Sequence, residues 1–430
     1  MDFPSTPNQN DDDTLYTPLH PNEIRLLKLL PGPWGMPICC ELSHVPLSNK
    51  PAYKALSYAW GSRRLVEPVF LNETPRLVTK NLYTALSRLR SENEPVTIWV
   101  DALCIDQANI DERATQVAMM RSIFAKTDEV IVHLDIPNQH LRNHRRLSRT
   151  PRPESFFRMS DSDDALLEKF MGRFKVSGDG CLRSQRSQVD VGTQVFCLIR
   201  LVASGRLHEL ISAVADHPDG SLPSMLSDLF ENLRYMLRCR WWNRVWIIQE
   251  VVVPERVMVF YGGAIAPWDM LVSAAKAWLP DDSRNSDPPS IPREYSLVLD
   301  YFAKQILGIE KMRRQWRFTN QTTLLRLLRQ FSDREASDDR DKVYALLGLV
   351  TQSLSLPNGH ILLPDYSLDI KSVFINASLS IVRTTRSLSV IVVDSARKYR
   401  QDLPSWAADW TAPADDAERK RAEKIERYDA

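Results

Sequence analysis

The 430-residue sequence lacks most features that mark a specialised class of protein. Its six cysteines include no CxxC pair and no neighbouring histidines at zinc spacing, which is typical of a reduced chain with buried thiols. The formal net charge is +1, so no overall field attracts nucleic acid or a membrane. No apolar run approaches the roughly 20 residues of a membrane helix. The polar N-terminus is unlike a signal peptide. We therefore expect a soluble, cytoplasmic protein without a membrane segment.

Familiar catalytic motifs are also missing. The sequence has no GxxxxGK[ST] phosphate loop, no HExxH, no GxSxG elbow and no kinase signature. Their absence disfavours ATP-driven or polymerising chemistry. We predict neither a metal site nor a resident cofactor.

What is present predicts an α/β fold. VTIWV (96–100) and EVIVHLD (129–135) are continuously apolar, as strands covered on both faces must be. Between them lies a helical pattern with Asn109 or Asp111 as its N-cap and one apolar face. Strand, helix and strand at this spacing predict a right-handed crossover. We expect a mainly parallel sheet flanked by helices.

Composition divides the chain into segments. We predict a disordered tail at 1–20, a first domain at 21–280 with a mixed-charge insertion at 136–221, a Pro/Ser/Asp-rich linker at 281–294, and a mostly helical region at 295–430.

The arginine-rich stretch RNHRRLSRTPRPESFFR (142–158) is compatible with RNA or lipid contact. A solvated loop is the preferred interpretation, so a nucleic-acid partner is not expected.

Polar residues gather where two predicted strands end. Ligands of parallel α/β sheets bind beyond the carboxyl ends of strands. VDALCIDQANIDER (100–113) places Asp101 and Asp106 there, and YKALSYAWGS (53–62) places Ser57, Trp60 and Gly61 at a second strand end. Such carboxylates suit ribose hydroxyls. Alternatively, Asp101 and Asp106 cap the next turn and helix, Gly61 is an ordinary turn, and Trp60 belongs to the core.

The stretch RCRWWNRVWIIQE (238–250) combines indoles with a carboxylate. If it is helical, Trp246 lies on the same face as both Glu250 and Trp242. A carboxylate beside indole and little water has a raised pKa, as in sites that act on glycosidic bonds. The alternative is a structural salt bridge between Glu250 and Arg244.

DDRDKVYALLGL (338–349) precedes another apolar helix. We interpret its Asp341 and Arg340 as a helix cap with ion pairs, and we assign them no catalytic role.

Several blocks resemble the heterokaryon incompatibility (HET) domain of filamentous fungi. They are YKALSYAWG, IWVDALCIDQANIDERATQVAMMRSIFAKTDEVIVHLD, and RWWNRVWIIQEVVV with VMVFYGG. The resemblance covers about residues 53 to 250, with the insertion excluded. Flanking blocks that also fit the family extend it over most of the chain: EIRLLKLL, DDRDKVYALLGLV, DYSLDIKSVFINAS and LPSWAADW. It implies a role in self/non-self recognition on hyphal fusion, in which the domain triggers cell death.

A distant relation of that family to Toll/interleukin-1 receptor (TIR) domains implies a TIR-like sheet. Some TIR domains cleave NAD⁺ with a glutamate in a W-x-x-x-E arrangement, and Trp246 and Glu250 have that spacing. The positions that match the family are Ser57, Trp60, Gly61, Asp101, Cys104, Asp106, Gln107, Arg113, Gln116, Arg244, Trp246, Gln249 and Glu250. At position 106 many relatives carry Asn, so the local charge differs here.

The resemblance implies Glu250 as the catalytic residue. The implied substrate-binding residues are Ser57, Trp60, Gly61, Asp101, Asp106, Arg113, Gln116, Arg244 and Trp246. Two hypotheses follow. The first is a cell-death effector that hydrolyses NAD⁺ or a related nucleotide, with NAD⁺ as substrate rather than cofactor. The second is a non-enzymatic death-signalling module that self-assembles or binds another incompatibility protein through its tryptophans and helical C-terminal region.

Overall fold

The computed structural model describes residues 15–135, 155–159, 161–172, 174, 190–215, 222–279, 291–318, 322–350, 354, 356, 359, 361–391 and 398–412. Most of the predicted tail, of the arginine-rich stretch and of the linker lies outside these residues. Those assignments therefore stay predictions.

In the described residues ten strands form one sheet. They are β1 (Glu23–Leu29), β2 (Cys39–Pro46), β3 (Lys54–Tyr58), β4 (Val66–Leu71), β5 (Thr74–Thr79), β6 (Val96–Trp99), β7 (Glu129–Leu134), β8 (Ser155–Phe156), β9 (Val257–Tyr261) and β10 (Ala264–Pro267). Their spatial order is β5-β4-β2-β1-β6-β3-β7-β9-β10-β8. The central run β6-β3-β7-β9 is entirely parallel, and antiparallel pairs flank it. The predicted α/β class is confirmed.

Thirteen α-helices accompany the sheet in the described residues. They are α1 (Lys80–Leu89), α2 (Asp101–Cys104), α3 (Ile110–Lys126), α4 (Asp161–Met171), α5 (Val191–Ala203), α6 (Leu207–Ala215), α7 (Leu222–Leu237), α8 (Ile247–Val252), α9 (Trp268–Trp278), α10 (Arg293–Phe318), α11 (Leu324–Gln330), α12 (Asp341–Leu347) and α13 (Ile370–Thr385). No helix of the described chain is long and apolar enough to cross a membrane.

The predicted crossover runs from β6 through α3 to β7, with β3 between the two strands. Asn109 caps α3 by accepting a hydrogen bond from the Glu112 amide at 3.1 Å. Val117, Met120 and Phe124 form the buried face of the helix, as the spacing predicts. This crossover brings the carboxyl ends of β3 and β6 to one edge of the sheet, where the polar loops follow.

Part of the segment predicted as a charged insertion is core. Helix α5, VGTQVFCLIRLVA, is almost completely buried and packs against α9. Asp190 caps it by accepting from the Thr193 amide at 3.1 Å. For 190–215 the structure therefore shows helices where a mixed-charge insertion was expected.

The stretch 238–250 is not one helix, contrary to the expectation. Residues Arg240–Asn243 form a 3₁₀ turn, Arg244 is extended, and α8 begins at Ile247. Trp242 consequently turns away from Trp246. Its indole N–H donates to the Met236 carbonyl at 2.8 Å inside the core.

Two glycines give a matched test of packing. A Cβ at Gly192 would lie 1.7 Å from the Tyr261 carbonyl oxygen, whereas a Cβ at Gly308 in the middle of α10 would meet nothing within 4 Å. We expect Gly192→Ala to lower the free energy of unfolding by about 3 kcal/mol through overpacking. Gly308→Ala should raise it by about 0.5–1 kcal/mol. Urea unfolding measures the free energy of unfolding of both variants. Equal changes in the two would contradict the tight packing at Gly192 and the open space at Gly308.

Candidate functional site

A cavity of about 1080 Å³ opens beyond the carboxyl ends of β3 and β6. Seven of the ten predicted site residues line it: Trp60, Gly61, Asp101, Arg113, Arg244, Trp246 and Glu250. The opposite wall comes from residues 335–339 and from Asp341, Tyr366 and Ile370. We call this cavity the cleft.

Glu250 lies in the first turn of α8 and is 4% exposed. The Ser57 hydroxyl donates to Glu250 Oε2. Ser57 Oγ in turn accepts from the Trp241 indole N–H at 2.7 Å. Ser57 therefore lies behind the carboxylate, at the end of β3, and orients it rather than lining the cleft.

Arg244 holds the other side of Glu250. Its guanidinium donates to both carboxylate oxygens at 3.3 Å and to the Tyr58 carbonyl at 2.6 Å. Burial raises the pKa of Glu250, and the positive charge of Arg244 and the Ser57 hydrogen bond oppose that rise. The salt bridge considered as the alternative is present, and the same carboxylate lines the cleft.

Asp101 is the first residue of α2. Its Oδ2 accepts from the Trp60 indole N–H at 2.8 Å, and the Tyr58 hydroxyl also hydrogen-bonds to it. Burial raises its pKa, opposed chiefly by Arg244. Gly61 has a φ of +77°, and a Cβ at this position would lie 2.7 Å from the Asn81 side chain. Glycine therefore fits here better than any other residue.

Asp106 and Gln116 do not line the cleft. Asp106 Oδ1 accepts from the Ala108 amide at 3.0 Å, which is the turn-capping role that the sequence left open. Gln116 is buried, and its amide donates to the Glu23 carbonyl at 2.9 Å. Both residues support the local structure instead of facing a ligand.

The opposite wall contains Asp338 and Tyr366, which the sequence did not single out as site residues. The predicted site residue Arg113 pairs with Asp338 at 3.2 Å, and its guanidinium lies 3.6 Å from the centre of the Tyr366 ring. Tyr366 also packs against Arg340. The segment DYSLDI fits the family, but its pattern assigned no role to the tyrosine.

Asp341 does not cap α12, contrary to the expectation. Its Oδ1 accepts from the Tyr366 hydroxyl at 2.7 Å, and its Oδ2 accepts from the Trp246 indole N–H at 3.1 Å. Burial raises the pKa of Asp341 and these two hydrogen bonds partly offset the rise, so that the pKa is about 6. Asp341 is thus a second carboxylate fixed at the wall of the cleft.

Two exposed arginines, Arg63 and Arg240, also line the cleft. Neither forms a salt bridge with another described residue. Within the described part of the chain, no carboxylate neutralises these two guanidinium groups. Among the described residues, no group of three or more His, Cys, Asp or Glu side chains is arranged to hold a metal ion.

Residues 53–250, which supply the sheet edge and Glu250, match the family model for Heterokaryon incompatibility protein (HET). This region of the chain is therefore similar to the HET family. It is similar to Heterokaryon incompatibility protein 6, OR allele, of Neurospora crassa, with 25% identity over 431 aligned residues. The alignment covers 90% of this chain and 57% of that protein, so the chain spans little more than half the length of its relative. No solved structure matches it.

The ion pair between Arg244 and Glu250 gives a stability prediction. We expect Arg244→Gln to lower the free energy of unfolding by about 3 kcal/mol, because it leaves a buried carboxylate without a cation. Adding Glu250→Gln should recover more than about 1 kcal/mol of that loss. Urea unfolding at pH 7 measures this cycle. Strictly additive single substitutions would contradict it. Arg113→Gln, whose ion pair is more exposed, is the control and should cost less.

Asp135 is a further carboxylate at this edge of the sheet, directly after β7 and outside the cleft lining. The Asn81 amide donates to its Oδ2 and to the Ala59 carbonyl. Burial raises the pKa of Asp135 and the Asn81 hydrogen bond partly offsets the rise, so that the pKa is about 7. The sequence predicts Asp135 only as the last residue of a strand.

Asp135 therefore makes stability depend on pH. The folded protein keeps its proton up to about pH 7, whereas the unfolded chain loses it near 3.8. Between these values the folded state binds more protons, so this group lowers the free energy of unfolding as the pH rises. We expect Asp135→Asn to match the wild type at pH 4 and to be more stable at pH 8. Parallel pH curves from urea unfolding would exclude this role.

Proposed function

We propose that this chain acts in incompatibility-type cell death and that its cleft hydrolyses the nicotinamide–ribose bond of NAD⁺ or a related nucleotide. The match to the HET model and the name of the Neurospora relative support the first part. The observation that carries the second is Glu250, a buried carboxylate that lines a large cavity and is oriented by Ser57 and Arg244.

In this proposal Glu250 accepts hydrogen bonds from the ribose hydroxyls. As the bond from C1′ to the nicotinamide nitrogen breaks, its electron pair leaves with nicotinamide and positive charge develops on the ribose. The carboxylate stabilises that charge in a site with little water. Water then adds to C1′ and releases one proton, which gives ADP-ribose. Arg244 and Ser57 favour the ionised form of Glu250 that this step requires.

The rest of the cleft suits a dinucleotide. Its volume of about 1080 Å³ is at the upper end of ordinary ligand pockets. Arg63 and Arg240 offer guanidinium groups to the pyrophosphate. Asp101 is placed to accept from sugar hydroxyls, and Trp60 and Trp246 offer ring faces. A TIR-like relation belongs to the same proposal, supported by the parallel centre of the sheet and the W-x-x-x-E spacing.

The alternative is a death-signalling module that works by assembly alone. One observation favours it: α10 exposes Leu297 and Tyr301, four residues apart on one face. In that case the salt bridge between Arg244 and Glu250 is purely structural.

Nicotinamide release from NAD⁺ tests the enzymatic proposal. We expect Glu250→Gln to reduce the rate by at least about 10²-fold, because it removes the charge that stabilises the transition state. Asp106→Asn is the matched control, since it neutralises a carboxylate outside the cleft, and it should keep the rate. Background release from concentrated wild-type protein would refute hydrolysis.

Cell killing separates the two functions. The enzymatic proposal expects Glu250→Gln, folded as judged by its unfolding curve, to abolish killing, while Leu297→Glu with Tyr301→Glu retains it. The opposite pattern would establish assembly through α10 and exclude catalysis as the cause of death.

A further inference from the structure

Two carboxylates of the cleft are held in the same unusual way. Asp101 accepts from the indole of Trp60 and hydrogen-bonds to the hydroxyl of Tyr58. Asp341 accepts from the indole of Trp246 and the hydroxyl of Tyr366. Each carboxylate is thus fixed by one tryptophan and one tyrosine. Both tryptophans and both carboxylates line the same cavity.

Neither of these carboxylates has a cationic partner among the described residues. Two neighbouring carboxylates do have such partners: Glu250 pairs with Arg244, and Asp338 pairs with Arg113 and Arg340. Asp339 and Glu335 also line the cleft; Glu335 is exposed to solvent and Asp339 is partly exposed. Neutral donors hold Asp101 and Asp341 instead, so their negative charge is available to a ligand.

The two tryptophans add a second preference. Each indole N–H is tied to a carboxylate, which fixes the orientation of the ring, and both rings are only half-buried at the cleft. The face of an indole attracts a cation, and a planar cation stacks on it. A neutral ring gains only the stacking. Uncompensated carboxylates next to oriented indoles therefore favour a ring that is both flat and positively charged.

We propose that the cleft selects a planar cationic ring, such as a pyridinium, and that Asp341 is a specificity-determining residue for that charge. This inference rests on the proposed function, whose substrate class it names, because the nicotinamide ring of NAD⁺ is a pyridinium. Asp341 lies outside the family-matched residues 53–250.

Asp341, more than Asp101, determines the preference. The guanidinium of Arg244 lies close enough to Asp101 to lower its pKa, so part of that negative charge is offset. Arg113 also lowers the pKa of Asp341, but less than the two hydrogen bonds of Asp341 do, and the nearby Asp338 raises that pKa. Arg340 binds Asp338 and the Tyr366 and Leu368 carbonyls.

Two small probes test this. 1-Methylnicotinamide is a planar cation, and nicotinamide is its neutral counterpart of nearly the same shape. We expect the wild-type protein to bind the cation about tenfold more tightly, as measured by calorimetric titration of the full chain. Asp341→Asn should remove most of that preference by weakening cation binding while leaving nicotinamide binding unchanged.

Asp339→Asn is the matched control. It makes the same change two residues away in the same wall. The two cleft tryptophans donate to Asp101 and Asp341 and not to Asp339, which is partly exposed to solvent, so the preference should persist. Equal affinities for the two probes, or binding of neither, would overturn the inference without any variant. If Asp341→Asn and Asp339→Asn reduce the preference for the cation equally, the preference is a general effect of negative charge in the wall, and the inference is overturned.

The probe experiment tests this inference separately from the proposed hydrolysis of NAD⁺. A preference for the cation without NAD⁺ cleavage supports the inference and refutes hydrolysis. Cleavage of NAD⁺ by a wild-type protein that does not distinguish the probes refutes the inference alone.

Discussion

The cleft depends on one half-buried cation, Arg244, which pairs with the buried carboxylate of Glu250. Its backbone is extended between a 3₁₀ turn and α8, and it forms a β-bridge with Glu335. Its guanidinium binds the Tyr58 carbonyl at the end of β3 and the Glu250 carboxylate in α8. A buried charge requires such partners, because leaving it unpaired is strongly unfavourable. Arg244 thus holds together the end of β3, helix α8 and the segment at Glu335, and these three segments contribute residues to the cleft.

Local patterns predicted much of the fold, because local forces determine it. The apolar runs of β3, β6 and β7, the Asn109 cap and the buried face of α3 all follow from residue spacing. The break at Arg244 does not, since the tryptophan spacing of 238–250 also fits a continuous helix. Tertiary hydrogen bonds decide between the two. Likewise, the charged composition around α5 concealed a short apolar helix that burial stabilises.

The candidate site divides in the same way. Seven predicted residues line the cleft because strand ends of a parallel sheet converge on one edge. Ser57 and Glu250 are 193 residues apart, and only the family resemblance brought them together in advance. The opposite wall was missed because an aspartate before an apolar helix has the same sequence signal whether it caps the helix or binds a distant tyrosine. Asp341 does the latter.

Gln249 connects the two parts of the molecule by donating to the Ala345 carbonyl at 2.8 Å, and its side chain fills the space where a Cβ at Gly348 would lie. The region that matches the HET model and the downstream helix α12 are thus joined through one side-chain amide and a backbone carbonyl. Because the acceptor is backbone, a substitution at Ala345 that keeps the helix also keeps this hydrogen bond, whereas any side chain at Gly348 displaces the amide that forms it.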